Sequence, residues 1–98
     1  MSYLLTKKAL TDINEIWVYT AENWSVEQAD RYYNLIFDEI EYIAENLERA
    51  RDFSHVRIGY RVSKVKSHIV FFRKLAGGVV EVVRVLHERM DIEARLND

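Results

Sequence analysis

The stretch from residue 56 to residue 91 constrains the fold most, because it has the pattern of three consecutive β-strands. Over residues 56–63, apolar side chains alternate with arginines and small residues, which is the period of two of a strand with one buried face. Residues 68–73 are almost continuously apolar, as is typical of a central strand. Residues 79–86 are rich in valine and follow Gly77-Gly78, a pair that tolerates the positive φ angles of a hairpin turn. The pattern predicts an antiparallel meander.

The N-terminal half has the pattern of two helices. Over residues 7–22, apolar residues recur three or four positions apart, which predicts a helix. Its predicted buried face consists of Leu10, Ile13, Trp17, Ala21 and Trp24. A second helix is predicted from a capping box at Ser25 and Gln28 to about Arg49. Its apolar seam consists of Ala29, Tyr33, Ile36, Ile40, Ile43 and Leu47. Because so few residues separate the helices, we expect an antiparallel hairpin.

These elements predict an α+β fold, with an N-terminal helical hairpin packed on a small, mostly antiparallel β-sheet. The predicted order is β-α-α-β-β-β, with a first strand at residues 3–6 and a short C-terminal tail or helix. The first turn of the meander is predicted at residues 64–66. Because the hairpin covers one face of the sheet, Arg57 and Arg61 are expected to point outward from the other face. With no proline and only 3 glycines, no linker is visible, and residues 1–98 are predicted to form a single domain.

Charge is divided unevenly along the chain. Residues 1–52 carry 5 Lys/Arg and 11 Asp/Glu, a net charge of −6, whereas residues 53–98 carry 9 and 5, a net charge of +4. This division predicts an acidic helical layer and a basic sheet layer. The two layers can be solvated faces of opposite sign, or the basic layer can bind an anionic partner.

No motif of a known enzyme class is present. There is no phosphate-binding glycine-rich loop, and His55, His68 and His87 lack the spacing of metal ligands. We therefore predict no metal and no cofactor. His87 could act as a general acid or base near neutral pH, but a structural role is favoured because it lacks a visible orienting partner. The arginines of the sheet could recognise phosphate or carboxylate groups, or could pair with carboxylates of the helices.

Several segments together resemble a known family. They are residues 9–19, residues 24–32, Arg57-Ile58-Gly59-Tyr60-Arg61, residues 68–73 and residues 82–91, and they cover nearly the whole chain. In this ordered set the chain resembles the ParE branch of the RelE/ParE superfamily, the toxins of bacterial type II toxin–antitoxin systems. The segment at residues 46–49 departs from the family, because relatives often have a proline after the second helix.

The resemblance implies a growth-inhibiting toxin that poisons DNA gyrase and forms a hetero-oligomer with a ParD-like antitoxin of the ribbon-helix-helix class. The alternative from the RelE branch is a ribosome-dependent mRNA endonuclease, for which Arg61, Arg73 and His87 would be the catalytic set. The net charge of −2 argues against it, because a nuclease working among dense phosphate is favoured by a basic chain. A second alternative is a toxin-fold interaction protein that has lost its activity.

The two partners predict two surfaces. The predicted target-binding residues are Arg57, Arg61, Arg73, Arg84, His87 and Arg89. The predicted antitoxin-binding residues are Ile16, Tyr19, Tyr32 and Ile36, where an amphipathic helix or an added strand would dock. The absence of cysteines and of any membrane-spanning apolar stretch predicts a cytoplasmic protein without membrane association.

Overall fold

The structure, a computed structural model, describes residues 3–97, so the outer bounds of the predicted domain, residues 1 and 98, lie outside the described residues. The elements are β1 (Tyr3–Leu5), α1 (Lys7–Asn23), α2 (Val26–Glu45), β2 (Arg51–Asp52), β3 (Tyr60–Val65), β4 (His68–Lys74), β5 (Val80–His87) and α3 (Ile92–Leu96). Short 3-10 turns lie at Leu47–Arg49 and Ala76–Gly78.

One five-stranded sheet organises the fold, in the order β1-β5-β4-β3-β2. The strands β5, β4, β3 and β2 pair antiparallel, whereas β1 pairs parallel with β5. The predicted α+β fold and its mostly antiparallel sheet are therefore confirmed. The short edge strand β2 was not predicted, because two residues carry no periodic signal.

The two helices pack on one face of the sheet. Helix α1 begins after Thr6, whose hydroxyl accepts a hydrogen bond from the Ala9 amide at 3.0 Å. Its buried residues are Ala9 and Ile13. The predicted buried face of this helix is confirmed at Ile13 and was wrong at Leu10 and Trp24, which are exposed. The face that packs on β5 is shifted by one residue, from Leu10 to Ala9. The small side chain of Ala9 allows the helix to approach the sheet closely.

Helix α2 buries the seam that its sequence predicts, with Tyr33 as the exception. Its buried residues are Ala29, Ile36, Ile40, Ile43 and Ala44. They pack on the helix-facing residues of the sheet, which include Val70, Phe72, Val82 and Val85. The helix ends at Glu45, four residues before the predicted end.

The opposite face of the sheet is covered as well. Val62, Phe71 and Leu86 form a second apolar cluster there, against which Ile92 and Leu96 of α3 pack. The predicted outward position of Arg61 was wrong. Strand β3 begins at Tyr60 rather than at residue 56, and alternation then places Tyr60 and Val62 toward α3 and Arg61 toward the helical hairpin.

The segment before β3 is a turn. Ile58, predicted to lie on the buried face of a strand, is 90% exposed, and Gly59 has a φ of +82°. Arg57 lies in this turn and is held by the C-terminal residues, because its Nη2 donates to the Leu96 carbonyl at 2.9 Å. The β3–β4 turn lies at Lys66-Ser67, with Lys66 at φ 55°, rather than at residues 64–66.

Candidate functional site: an aromatic groove with a histidine floor

A groove of about 690 Å³ opens between the helices and the end of the sheet where the β3–β4 turn lies. Its walls are mainly apolar or aromatic and its floor is polar. The residues that define it are Ile16, Tyr19 and Trp24 from α1 and the turn that follows, Tyr32 from α2, and His68 and His87 from β4 and β5. Its mixture of apolar walls and a few polar groups is typical of a binding site.

Tyr32 and His68 form the centre of the floor. The Tyr32 hydroxyl donates to the Val65 carbonyl at 2.9 Å and lies 2.6 Å from His68 Nδ1. Burial raises the pKa of the Tyr32 hydroxyl. Burial, followed by the charge of the nearby His87, lowers the pKa of His68 to about 4. His68 is therefore neutral at neutral pH.

His87 lies beside His68, because β4 and β5 pair these two residues directly. The ring centroids are 5.1 Å apart and the ring planes are nearly perpendicular. His87 Nδ1 accepts a hydrogen bond from the backbone amide of Arg89 at 3.1 Å. The orienting group that the sequence did not reveal is thus a backbone amide two residues away.

Asp12 lines one side of the groove and forms an ion pair with Arg84. Arg84 donates from Nε and Nη2 to the two carboxylate oxygens of Asp12, at 2.8 and 3.0 Å, and Asp12 also accepts from the Val85 amide at 3.0 Å. Arg84 is only 9% exposed. The prediction of Arg84 as a target-binding surface residue was wrong, because α1 supplies a carboxylate that holds its side chain in the interior. This outcome agrees with the alternative that arginines pair with helix carboxylates.

Two other predicted target-binding arginines, Arg61 and Arg73, do not line the groove. Arg61 donates to the Ala50 carbonyl at 2.9 Å, and Arg73 pairs with Glu81 at 2.7 Å. His68, which pairs with His87, is five residues from Arg73 on β4, about 17 Å along an extended strand. The proposed nuclease set of Arg61, Arg73 and His87 is therefore not brought together.

Three of the four predicted antitoxin-binding residues line the groove, namely Ile16, Tyr19 and Tyr32. Ile36 is 0% exposed and belongs to the core between α2 and the sheet. It is unavailable to a partner in this conformation, because the apolar seam of α2 faces inward.

Sequence reasoning missed His68 as a site residue, although a signal was present. A hairpin centred on Gly77-Gly78 pairs residues at equal distances on either side, and His68 and His87 both lie nine residues from the nearer glycine. The structure keeps this register at the far end of the hairpin, past a bulge near Phe71 and Phe72.

Two further properties follow from the described residues. Residues 3–97 contain no group of three or more His, Cys, Asp or Glu side chains arranged to hold a metal ion. None of the helices in that range has the length and apolar character needed to cross a membrane.

Known proteins match the chain along nearly its whole length. The model of the family described as the ParE toxin of the type II toxin-antitoxin system, parDE, matches residues 3–92. A relative from Caulobacter vibrioides named Toxin ParE1 is 39% identical over 94 residues, which are 96% of each chain. Toxin ParE1 from Mycobacterium tuberculosis is 38% identical over 94 residues, again 96% of each chain. Toxin ParE from Escherichia coli is 34% identical over 97 residues, which are 99% of this chain and 94% of the relative.

A solved structure has the same fold. It is described as a chromosomal ParDE TA system from P. aeruginosa, and the likeness has a TM-score of 0.76 and a sequence identity of 21%. It covers 89% of this chain and 95% of the other. The family match spans the strands β1 to β5 and the helices α1 and α2, and it includes every residue that lines the groove. The chain is a member of the ParE toxin family of type II toxin–antitoxin systems.

Proposed function

We propose that the chain inhibits growth by poisoning DNA gyrase and is neutralised by a ParD-like antitoxin in a cytoplasmic hetero-oligomer. The observation that carries this proposal is the match to the ParE toxin family over residues 3–92. Its activity is one of binding rather than of catalysis.

The groove is the proposed binding site of the antitoxin. An amphipathic helix or an extended segment docks by placing apolar anchors in a concave apolar surface. The exposed aromatic rings of Tyr19 and Trp24 and the half-buried Ile16 offer such a surface. Large aromatic side chains contribute much of the energy of protein interfaces because they bury a large area.

The proposed target surface consists of the predicted arginines other than the buried Arg84. Arg73 and Arg89 are exposed, whereas Arg57 and Arg61 are partly buried and donate to backbone carbonyls. The Arg73 side chain is 48% exposed, and its ion pair with Glu81 is solvated enough to be exchanged for a partner's anion. Arginine forks bind carboxylate and phosphate groups in a bidentate manner, and a gyrase bound to DNA presents both.

The nuclease alternative loses support because its three residues do not converge. General acid–base catalysis needs its groups within hydrogen-bond reach of one reacting centre, and Arg73 and His87 lie near opposite ends of the β4–β5 pair. The inactive alternative predicts that expression of the chain alone leaves growth unchanged.

Induced expression with three readouts tests the proposal. Growth should stop, purified chain should inhibit supercoiling of a relaxed plasmid by gyrase, and covalent gyrase–DNA breaks should accumulate while transcripts stay intact. Codon-linked cleavage of transcripts with normal supercoiling would instead establish the nuclease. Unimpaired growth with abundant folded protein would establish the inactive form.

Charge reversal tests the target surface. Arg73→Glu should abolish growth inhibition, whereas Lys74→Glu, the next residue along the same strand, should leave it nearly unchanged. The two variants change net charge equally, so a difference between them reports position. Arg61→Glu is the companion variant, and thermal melting verifies the fold of each. Full toxicity of both arginine variants would contradict the assignment of this surface.

A further inference from the structure

The floor of the groove presents two imidazole nitrogens to whatever fills it. Among residues 3–97, Nε2 of His68 and Nε2 of His87 have no hydrogen-bond partner. Every buried side-chain nitrogen or oxygen atom of the described, non-exposed residues has a hydrogen-bond partner. Both Nε2 atoms are therefore open to solvent, and both residues line the groove.

The contacts of Tyr32 indicate the tautomer of His68. A phenol has one proton, and we assign it to the Val65 carbonyl, which can only accept. With this assignment, the imidazole donates in the 2.6 Å contact between the Tyr32 oxygen and His68 Nδ1. The neutral ring of His68 therefore carries its proton on Nδ1, and its Nε2 is a hydrogen-bond acceptor.

His87 has the opposite arrangement. Its Nδ1 accepts from the Arg89 amide, so this nitrogen carries a lone pair. The neutral ring holds its proton on Nε2, which is a hydrogen-bond donor. The floor thus offers one acceptor and one donor from two rings whose centroids are 5.1 Å apart.

We propose that this histidine pair reads a primary carboxamide, the side chain of Asn or Gln, on the antitoxin segment that fills the groove. The proposal rests on the function proposed above, in which the groove receives the antitoxin. A carboxamide has an NH₂ donor and a carbonyl acceptor at separate atoms, so it can give a proton to His68 and take one from His87.

Other side chains satisfy the floor less well. A carboxylate only accepts, so it leaves His68 without a donor, and Asp12 and Glu15 at the groove place two further negative charges nearby. An ammonium group only donates, so it leaves His87 without an acceptor. A hydroxyl donates and accepts at one oxygen, which limits its reach between two rings. A segment that fills the groove displaces water from the floor, so a polar group left unmatched there is costly.

Two small probes of the same shape test the proposal on the full-length, isotope-labelled chain. They are isovaleramide and 4-methyl-2-pentanone, in which a methyl group replaces the NH₂ and removes the donor. Long-range proton–nitrogen NMR spectra report each imidazole nitrogen. Isovaleramide should shift Nε2 of His68 and of His87 in a saturable way and bind roughly 3- to 10-fold more tightly than the ketone, since one hydrogen bond is lost. His55, which lies outside the groove, is the internal control and should not respond.

Variants locate the effect. His68→Phe removes the acceptor and should make the two probes bind equally, whereas the control His55→Phe should preserve the preference. The comparison of the two probes on the unmodified chain needs no variant, so it decides the question even if His68→Phe unfolds. Equal affinities, a response centred on His55, or no saturable shift up to the solubility limit would each overturn the proposal.

The same titration on the toxin–antitoxin complex separates this proposal from the function on which it rests. Loss of the isovaleramide shifts in the complex supports an antitoxin carboxamide at the floor. Shifts that persist unchanged would overturn the antitoxin's seat in the groove and, with it, the choice of partner. Equal affinity of the two probes in the free chain would overturn the carboxamide preference alone and leave the antitoxin's seat standing.

Discussion

Two arginines on neighbouring strands make ion pairs of nearly equal length in different surroundings. The inner pair joins Arg84 Nε to Asp12 Oδ2 at 2.8 Å, with side-chain exposures of 10% and 11%. The outer pair joins Arg73 Nε to Glu81 Oε1 at 2.7 Å, with exposures of 48% and 17%. The atom–atom distance would rank the outer pair first. Burial reverses the ranking, because a charge removed from water depends on its partner far more than a solvated charge does.

The pairs also differ in what they connect. Arg84 lies on β5, Asp12 on α1, and Arg84 Nη1 donates to the Arg95 carbonyl of α3 at 2.8 Å, so the inner pair ties three elements together. The outer pair links β4 to β5, which their backbone ladder already joins. Two arginines that look alike in the sequence therefore differ in the structure: Arg84 is buried and links β5 to α1 and α3, whereas Arg73 stays largely exposed.

Removal of Asp12 should have the largest effect. Asp12→Ala removes the carboxylate that pairs with the buried Arg84 charge and leaves the Val85 amide without its acceptor, so the free energy of unfolding should fall by about 3–5 kcal/mol. Chemical denaturation measures this loss. The control Glu15→Ala, an exposed carboxylate one turn further along α1, should change it by no more than about 0.5 kcal/mol. A loss below about 1 kcal/mol for Asp12→Ala would contradict the ranking by burial.

A double substitution should recover much of that loss. In Asp12→Asn with Arg84→Met, the asparagine oxygen still accepts from the Val85 amide, and no charge remains buried. Since a buried ion pair can often be replaced by groups of similar volume at little cost, we expect at least about half of the Asp12→Ala loss to return. Denaturation of both variants under the same conditions measures the difference. If the double variant were as unstable as Asp12→Ala, the inner pair itself would stabilise the fold and would not merely neutralise a buried charge.

The sequence predicts the fold well where a pattern depends on local periodicity. The seam of α2 and the apolar run of β4 both carry strong signals, and both lie where they were predicted. The sequence predicts the burial of a single residue poorly where that burial depends on a neighbour distant in the sequence. Arg84 is buried because Asp12, far away on α1, faces it, and Ile58 is exposed because Gly59 ends a turn there. The groove combines α1, α2, the β3–β4 turn and the ends of β4 and β5, so its composition follows only from tertiary packing.

Acid should destabilise the protein through His68, beside the inner pair. Burial and the charge of His87 lower its pKa to about 4, although the charge of Asp12 acts in the opposite direction. Because the unfolded chain binds this proton near pH 6.5, the stabilisation is complete above that pH and is lost as the pH falls toward 4. We expect a loss of about 1–2 kcal/mol, a range reduced for the partial solvent exposure of the ring.

Denaturation at pH 7 and pH 4.5 measures this change. It should be smaller in His68→Phe and unaltered in the control His55→Phe. In Asp12→Ala, the part of the pH dependence that His68 causes should be larger, because the substitution removes a negative charge that favours the protonated ring. An identical pH dependence in the wild-type chain and His68→Phe would assign the acid sensitivity to other groups.

Removal of the outer pair should have the smallest effect. Arg73→Ala should lower the free energy of unfolding by only about 0.2–1 kcal/mol, because both partners remain accessible to water. Raising the salt concentration from 0.1 to 1 M shortens the screening length from about 10 to about 3 Å, so the difference from the wild-type chain should disappear. The Asp12→Ala loss should persist at 1 M salt. A salt-independent loss above about 2 kcal/mol for Arg73→Ala would make the two pairs equivalent. It would also contradict the proposed target surface, because an arginine bound so strongly to Glu81 could not exchange that partner for an anion of the target.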